Sequence, residues 1–223
     1  MLYHKNMDKK LILKHAENFV KKALAKEGTG HDWWHIERVL NNAKQINKVE
    51  KGDWFTIALS LLLHDVGDRK VLNTEDDDYS IAENFLKKYK VLNSITEAVM
   101  FIIKNMSFSK SLNTKREDVS KEFYIVQDAD RLDALGAIGI ARAFAYGGSK
   151  GRLLYDPTKK VQKITNTKTY KKINSSSLHH FEEKLLLLKD LMNTKTAKKI
   201  AIKRDKFMRQ YVERFLEEWR GIK

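Results

Sequence analysis

The residues of this chain with the most specific chemistry are His64 and Asp65, which close an almost entirely apolar run at residues 57–63. Such a run predicts a buried helix. A carboxylate at its end must be hydrogen-bonded, neutralised or bound to a cation, because burying an unpaired charge is costly. The pair alone has two interpretations: a helix end that satisfies its own polar groups, or two ligands of a metal ion.

Two further candidate ligands lie in separate motifs. His35 lies upstream, in the segment 30–39, and Asp130 lies downstream, in an Ala-Asp-Arg-Leu context at residues 129–132. Two imidazoles and two carboxylates form a mixed nitrogen and oxygen donor set, which suits a divalent cation of intermediate hardness. Four protein ligands on an octahedral ion leave positions for water and a substrate oxygen.

The order of a His, a His-Asp pair and an Asp resembles the ligand order of the HD-domain metal-dependent phosphohydrolases. The flanking residues resemble the YedJ/YpgQ-like bacterial branch, from about Gly30 through Gly151. The resemblance implies one divalent ion that activates water and polarises phosphorus. Mn²⁺ is the expected ion, and Fe²⁺, Co²⁺, Ni²⁺ and Mg²⁺ are alternatives. The implied ligands are His35, His64, Asp65 and Asp130.

The distribution of histidines favours a single ion. Dinuclear HD enzymes place further histidines between the His-Asp pair and the last Asp. This chain has no histidine from Val66 to Leu178. Extra carboxylates leave a weak second site open.

Asp68 lies four residues after His64. In related HD enzymes an acidic residue at this spacing acts in general base or acid catalysis, so the resemblance makes Asp68 the catalytic candidate. The alternative is a surface residue paired with Arg69 or Lys70. A positioned carboxylate contributes about 10²–10⁴-fold to proton transfer, so an Asp68 variant is expected to bind metal but turn over slowly.

Other residues near these motifs are candidates for supporting or substrate-binding roles. Hydrogen-bonding support of the ligands is expected from His31, Asp32 and Asp133, with phosphate contacts as an alternative for the first two and helix capping for Asp133. Trp33 and Trp34 are predicted to form core or cavity wall. His4, His15, His179 and His180 match no motif and are predicted to be surface or ordinary helix residues. The candidates to contact substrate phosphates are Arg38, Arg69, Lys70, Arg142, Tyr146, Lys150 and Arg152.

The composition is typical of a helical globular protein. The 223 residues are 42% hydrophobic and 32% charged, with a single proline. The absence of cysteine excludes disulfides and a thiolate zinc site. No apolar stretch reaches spanning length, and residues 1–10 lack the apolar core of a secretory signal. We therefore expect a cytoplasmic protein without a membrane partner.

The formal net charge is +14. A positive surplus attracts polyanions in general, so it fits a nucleotide substrate and fits nucleic acid as well. Lysine-rich helix faces exposed to solvent would explain the positive charge equally well. The charge alone does not discriminate between these classes.

Apolar residues at helical spacing predict an all-α fold. Asp53 is expected to cap the third helix, whose last turn carries His64 and Asp65, and Ser94 with Glu97 predicts a capping box. Gly and Ala residues within 134–141 are expected to allow close approach of helices. Segments 68–77 and 106–118 are predicted loops, and 147–174 is predicted to be a lid or a disordered excursion. Helices are predicted over residues 8–27, 32–50, 53–65, 78–89, 94–105, 119–146, about 176–192 and 194–220.

A single-domain helical bundle of the HD-domain type is predicted over residues 1–223. Its core is expected in about 8–146, and C-terminal helices at 175–220 complete it. The family resemblance implies a (deoxy)nucleoside triphosphate pyrophosphohydrolase, in the form of a monomer or homodimer. A nucleotidase or cyclic-nucleotide phosphodiesterase is the alternative within the superfamily. A basic helical nucleic-acid-binding module with a structural metal site is the alternative of another class, and a basic stripe at 198–209 is its only support.

Overall fold

The computed structural model of the chain describes residues 7–25, 30–72, 74–111, 119–164, 166 and 175–222. These residues form helices and irregular segments without any strand, which confirms the predicted all-α class. The helices are α1 (Lys9–Ala23), α2 (Trp33–Glu50), α3 (Trp54–Leu63), α4 (Arg69–Leu72), α5 (Ser80–Lys88), α6 (Asn93–Asn105), α7 (Phe108–Ser111), α8 (Lys121–Asp133), α9 (Gly136–Ser149), α10 (His179–Glu183), a 3₁₀ helix (Leu185–Leu191) and α11 (Lys195–Trp219).

Side-chain caps begin the helices that carry the candidate ligands. The Asp32 carboxylate accepts from the backbone N–H of His35 at 2.8 Å, and the Asp53 carboxylate accepts from that of Thr56 at 2.8 Å. Each bond satisfies one of the free N–H groups of a first helical turn. The predicted capping role of Asp53 is confirmed.

The capping box predicted at Ser94 is wrong. Helix α6 begins one residue earlier, at Asn93, and the residue before it is Leu92, which offers no side-chain hydrogen bond. Ser94 therefore lies inside the first turn, where its hydroxyl is no longer in the capping position.

The helix predicted over 119–146 is two helices. Helix α8 ends at Asp133, and α9 begins at Gly136, whose φ is +74°. A positive φ suits glycine and interrupts a right-handed helix. The sequence pattern missed this turn because Ala, Gly and Leu on either side continue the helical periodicity.

Several boundaries differ from prediction. The predicted loops 68–77 and 106–118 contain the short helices α4 and α7, and the helix predicted over 176–192 is divided into α10 and the 3₁₀ helix. Helix α3 ends at Leu63, so Asp65 follows the helix. Residues 26–27, the end of the first predicted helix, lie outside the described residues, as do residues 112–118, 165 and 167–174 of the predicted loops.

Helix α3 is the centre of the fold. All residues from Phe55 to Leu63 are buried. Ile57 and Leu61 belong to a core shared with α2, α8 and α11, whereas Leu59 and Leu63 belong to a second core shared with α1, α5 and α6. Packing on all sides holds this helix firmly, and the candidate ligands His64 and Asp65 directly follow its last residue.

The C-terminal helix is joined to α8 through Asp128. The buried Asp128 carboxylate accepts from the backbone N–H groups of Asn193 and Thr194, at 2.9 and 2.7 Å. Asp128 therefore anchors the start of α11 on the helix that carries Asp130.

The two tryptophans differ in environment. Trp33 is half-buried against the second core, but the predicted packing of Trp34 is wrong, because Trp34 is 63% exposed.

Among the described residues, no helix combines the length and the apolar character that crossing a bilayer requires.

We expect Gly139→Ala to lower the free energy of unfolding by about 1–3 kcal/mol, the usual range for overpacking. A Cβ at position 139 would lie 2.3 Å from the carbonyl oxygen of Ala134, so the backbone must shift. Urea unfolding followed by circular dichroism measures the change. Gly148→Ala is the matched control in the same helix, because its Cβ meets nothing within 4 Å. Gly148→Ala is expected to raise the free energy of unfolding by about 0.5 kcal/mol. Equal stabilities of the two variants would contradict the tight fit.

Candidate metal centre

Three elements bring the four predicted ligands to one place. His35 lies in the first turn of α2, His64 and Asp65 follow the end of α3, and Asp130 lies in the last turn of α8. His35 and Asp65 are buried, and Asp130 is half-buried. The cap of α2 contacts His35 directly, whereas His64 and Asp65 are positioned by the buried C-terminal end of α3.

The four side chains approach one another at the spacing of metal ligands. His35 Nε2 lies 3.3 Å from His64 Nε2, 3.4 Å from Asp65 Oδ2 and 3.5 Å from Asp130 Oδ1. His64 Nε2 lies 3.3 Å from Asp65 Oδ1 and 3.9 Å from Asp130 Oδ1. Atoms bound to one ion at about 2.0–2.2 Å lie roughly 3.0–3.5 Å from one another. His35, His64 and Asp130 can each offer one atom to a shared ion, and so can His31, His35 and Asp65. Asp65 faces His35 with Oδ2 and His64 with Oδ1, so the four predicted side chains together could surround a single divalent ion.

The other ring nitrogens of both histidines are occupied by hydrogen bonds. His35 Nδ1 lies 2.8 Å from Asp133 Oδ2, and His64 Nδ1 lies 2.8 Å from the carbonyl oxygen of Leu61. A carbonyl and a carboxylate can only accept, so each Nδ1 carries the proton. Each ring, when neutral, directs the lone pair of Nε2 toward the carboxylates. Such a group of acceptors repels itself unless a cation or protons lie between them.

The pKa values in the cluster follow from this arrangement. Burial opposes ionisation of Asp65, but the imidazoles of His64 and His31 hold its pKa well below the usual range. Burial would lower the pKa of His64, but Asp65 and Asp130 raise it overall. Burial lowers the pKa of His35, against the hydrogen bond to Asp133. The environment therefore favours an ionised Asp65 and a neutral His35, as a metal ligand needs, whereas it favours a proton on His64 that a bound cation would displace.

Asp133 gathers three basic side chains behind the cluster. Its carboxylate accepts from His35 and also from Arg38 Nε at 2.7 Å and Arg142 Nη1 at 2.7 Å. Burial opposes its ionisation, but the hydrogen bonds from His35 and Arg38 keep its pKa well below the usual range. The ionised carboxylate orients the ring of His35.

His31 and Asp32 approach the cluster in different ways. His31 Nδ1 lies 2.9 Å from Asp65 Oδ2, so this imidazole contacts a candidate ligand directly. Asp32 contacts the backbone N–H of His35 and acts as a helix cap. Gly30, with φ at +95°, lets the chain pass close to Arg142 before these two residues.

A cavity of about 420 Å³ opens beside the candidate ligands. Its charged and polar lining includes Asp68, Arg69, Arg142, Tyr146 and Arg152, all predicted from sequence to take part in chemistry or substrate binding. Its apolar lining is formed by Ile103, Met106, Phe108, Ile164, Leu185 and Leu188.

Two predicted phosphate-binding residues, Arg38 and Lys150, are not among the described residues that line this cavity. Arg38 is bound to Asp133, Lys150 is exposed with its ammonium 5.9 Å from the ring centre of Tyr146, and the side chain of Lys70 lies outside the described residues. Contact of these three residues with substrate stays a prediction.

Sequence reasoning missed several cavity residues, among them His180 and Lys184. They lie on α10 and directly after it, and Lys184 Nζ lies 5.1 Å from the ring centre of Phe108. His180 was predicted to be a surface or ordinary helix residue. No sequence signal marks either residue, because only the return of the chain after α9 brings α10 to the cavity. The neighbouring His179 is buried and contacts the Ser176 hydroxyl at 2.9 Å.

Comparisons with known proteins agree with this geometry. A family model described as HD domain matches residues 33–135. The Bacillus subtilis (strain 168) protein YpgQ is 38% identical over 213 residues, which cover 94% of this chain and 96% of YpgQ. A crystal structure of an HD-superfamily hydrolase from Bacillus thuringiensis is 43% identical, with a TM-score of 0.71 and coverage of 95% of this chain and 98% of the other. A crystal structure of B. subtilis YpgQ in complex with ADP is 36% identical, with a TM-score of 0.73 and coverage of 94% and 95%.

We expect Asp133→Asn to weaken Mn²⁺ binding about 10–100-fold, because loss of the charge behind a histidine ligand lowers its basicity and frees its ring. Titration calorimetry with MnCl₂ on the folded variant measures the affinity. Asp32→Asn is the matched control, since Asn is as good a helix cap as Asp, and its affinity is expected to match the wild type. An unchanged affinity in Asp133→Asn would show that the contact with His35 does not support ion binding.

Proposed function

We propose that small nucleotides are the substrates of this chain, which belongs to the HD-domain family and is a metal-dependent hydrolase. The expected reaction is cleavage of nucleoside or deoxynucleoside triphosphates to a monophosphate and pyrophosphate. The observation that carries the proposal is the composition of the cavity, which joins three of the proposed metal donors, His64, Asp65 and Asp130, to guanidinium groups and to an apolar wall.

The chemistry of the donor set fits one divalent ion. His35, His64, Asp65 and Asp130 would hold it, and Mn²⁺ is the expected ion because two nitrogen and two oxygen donors suit a metal of intermediate hardness. When bound, the ion supplies Lewis-acid activation of water and of a phosphoryl oxygen. The fixed tautomers of both histidines keep their Nε2 lone pairs available for this role.

Asp68 is the proposed general base. Its side chain lines the cavity together with His64, Asp65 and Asp130, and its negative charge acts on the pKa of His64. Its backbone N–H donates to the carbonyl of Asp65 at 3.1 Å, so the two residues lie in one tight turn. A carboxylate there can accept the proton that the attacking water loses.

Guanidinium groups are the proposed phosphate ligands. Arg69, Arg142 and Arg152 all line the cavity. Arg142 is paired with Asp133, whereas Arg152 lies 5.8 Å above the ring centre of Tyr146 and makes no ion pair with the described residues. A guanidinium held on an aromatic face presents its planar N–H groups to phosphate oxygens.

The apolar wall is the proposed contact for the nucleoside. Phosphate and metal recognition do not require apolar side chains, so Met106, Phe108 and Leu188 indicate a ligand with an apolar, planar part. The relative YpgQ has been crystallised in complex with ADP, which supports a nucleotide of this kind.

The nucleic-acid alternative has less support in the structure. Two cations of the basic stripe at 198–209 are engaged within the protein: Arg204 donates to the carbonyl of Leu132 and to Asn42, and Arg209 pairs with Asp205 at 2.8 Å. The stripe is therefore less positive than its sequence indicates.

A metal-supplemented nucleotide screen tests the proposal, with products identified by phosphorus NMR. We expect Mn²⁺-dependent release of pyrophosphate from triphosphates, loss of activity in EDTA, and recovery with Mn²⁺ better than with Ca²⁺. Asp65→Ala is expected to lose both bound metal and turnover. Release of orthophosphate from monophosphates, or opening of cyclic nucleotides, would instead support the alternatives within the superfamily. Full turnover in Asp65→Ala or in EDTA would contradict the proposed site.

We expect Arg152→Ala to raise the KM for triphosphates about tenfold, equivalent to about 1.4 kcal/mol of lost binding. The effect on monophosphates is expected to be smaller, because they carry fewer phosphate oxygens. Steady-state kinetics on both substrates measures the difference. Lys159→Ala is the matched control, since Lys159 is exposed in the same segment and pairs with Asp156. An equal loss for both substrates would contradict a role for Arg152 in phosphate binding.

A further inference from the structure

The loop from Gly67 to Tyr79 forms one wall of the cavity and is closed at its ends by backbone contact. The N–H of Asp78 donates to the carbonyl of Gly67 at 2.8 Å. A Cβ on residue 67 would lie 2.1 Å from the carbonyl oxygen of Asp78, so only glycine fits there. Asp68, Arg69, Asp77 and Tyr79 all line the cavity from this loop.

Asp77 links the two sides of the loop with one carboxylate. Its Oδ1 accepts from the backbone N–H of Arg69 at 3.0 Å, and its Oδ2 accepts from the Tyr79 hydroxyl at 2.9 Å. The first bond satisfies an N–H at the start of α4, and the second reaches the residue that precedes α5. Asp77 thus contributes a helix cap from across the loop.

The backbone of Asp68 is held on both sides. Its N–H donates to Asp65, its carbonyl accepts from Val71 and Leu72 at 2.9 and 3.0 Å, and the next N–H, that of Arg69, is bound by Asp77. The short helix α4 therefore has fixed contacts at its start, and Asp68 lies between this start and the candidate ligand Asp65.

We infer that Asp77 is a positioning residue, which holds Asp68 in the orientation for proton transfer through its bond to the N–H of Arg69. This inference rests on the proposed function of Asp68. Loss of the Asp77 carboxylate leaves the Arg69 N–H without its acceptor and releases the start of α4. Asp68 then samples other orientations, and a misplacement of about 1 Å can cost on the order of 10²-fold in rate.

A double-mutant cycle on the metal-loaded, full-length enzyme tests the inference. Asp77→Ala is expected to lower kcat about tenfold to a hundredfold with an unchanged Mn²⁺ content, and to raise KM by a smaller factor because Arg69 is released as well. In the Asp68→Ala background the same substitution is expected to have no further effect on kcat, because its action passes through Asp68. Equal losses in the two backgrounds would overturn the inference, since they indicate a general structural effect.

Conservative variants and a neighbour provide the controls. Asp77→Asn retains a carbonyl oxygen that can accept from Arg69, and it is expected to recover most of the wild-type kcat. Asp76→Ala removes an exposed carboxylate of the same loop that does not line the cavity, and it is expected to behave like the wild type. A loss in Asp76→Ala as large as that in Asp77→Ala would overturn the inference.

A measurement without substrate separates this inference from the nucleotide proposal. Hydrogen exchange by NMR is expected to show a protected Arg69 amide in the wild type and in Asp77→Asn, and an unprotected one in Asp77→Ala. Absence of turnover on every nucleotide would contradict the proposed function, and the cycle would then be measured on bis(p-nitrophenyl) phosphate. Unchanged protection of the Arg69 amide in Asp77→Ala would overturn the inference whatever the substrate.

Discussion

The mutual approach of four acceptor groups is the constraint on which the rest of the structure depends. His35 Nε2 and His64 Nε2 lie 3.3 Å apart, with carboxylate oxygens of Asp65 and Asp130 beside them. Such proximity without a cation is unfavourable in a protein interior, because the acceptors have been removed from water. The packing of α3 on all sides and the caps of α2 and α3 supply the rigidity that keeps these groups together.

The candidate ligands are held in place by the helices that carry them and also by side chains that contact the ligands from the side away from the cavity. Asp133 fixes the ring of His35 and is itself held by two arginines, whose positive charges more than offset that of the carboxylate. Arg142 takes part in this support and also lines the cavity. One side chain thus contacts both the support of the candidate metal centre and the proposed phosphate-binding wall.

The sequence predicted the helices and the candidate ligands better than it predicted the turns and the supports. Asp53 is a local signal, because a cap acts within one turn, and it begins the helix expected of it. The break before Gly136 escaped prediction, since Ala and Gly residues fit a helix as well as a turn. Asp77 and His180 escaped prediction because their neighbours at the cavity are distant in sequence or depend on the fold of a loop.

Because α3 is central to the fold, binding of a metal ion at the candidate centre is expected to stabilise the whole folded protein. This helix belongs to both hydrophobic cores, and the ligands from α2 and α8 meet those at its end. A ligand that binds only the native state stabilises it in proportion to the logarithm of its free concentration. A cell that runs short of the metal would therefore lose this protein through faster proteolysis of its opened forms, in addition to losing its turnover.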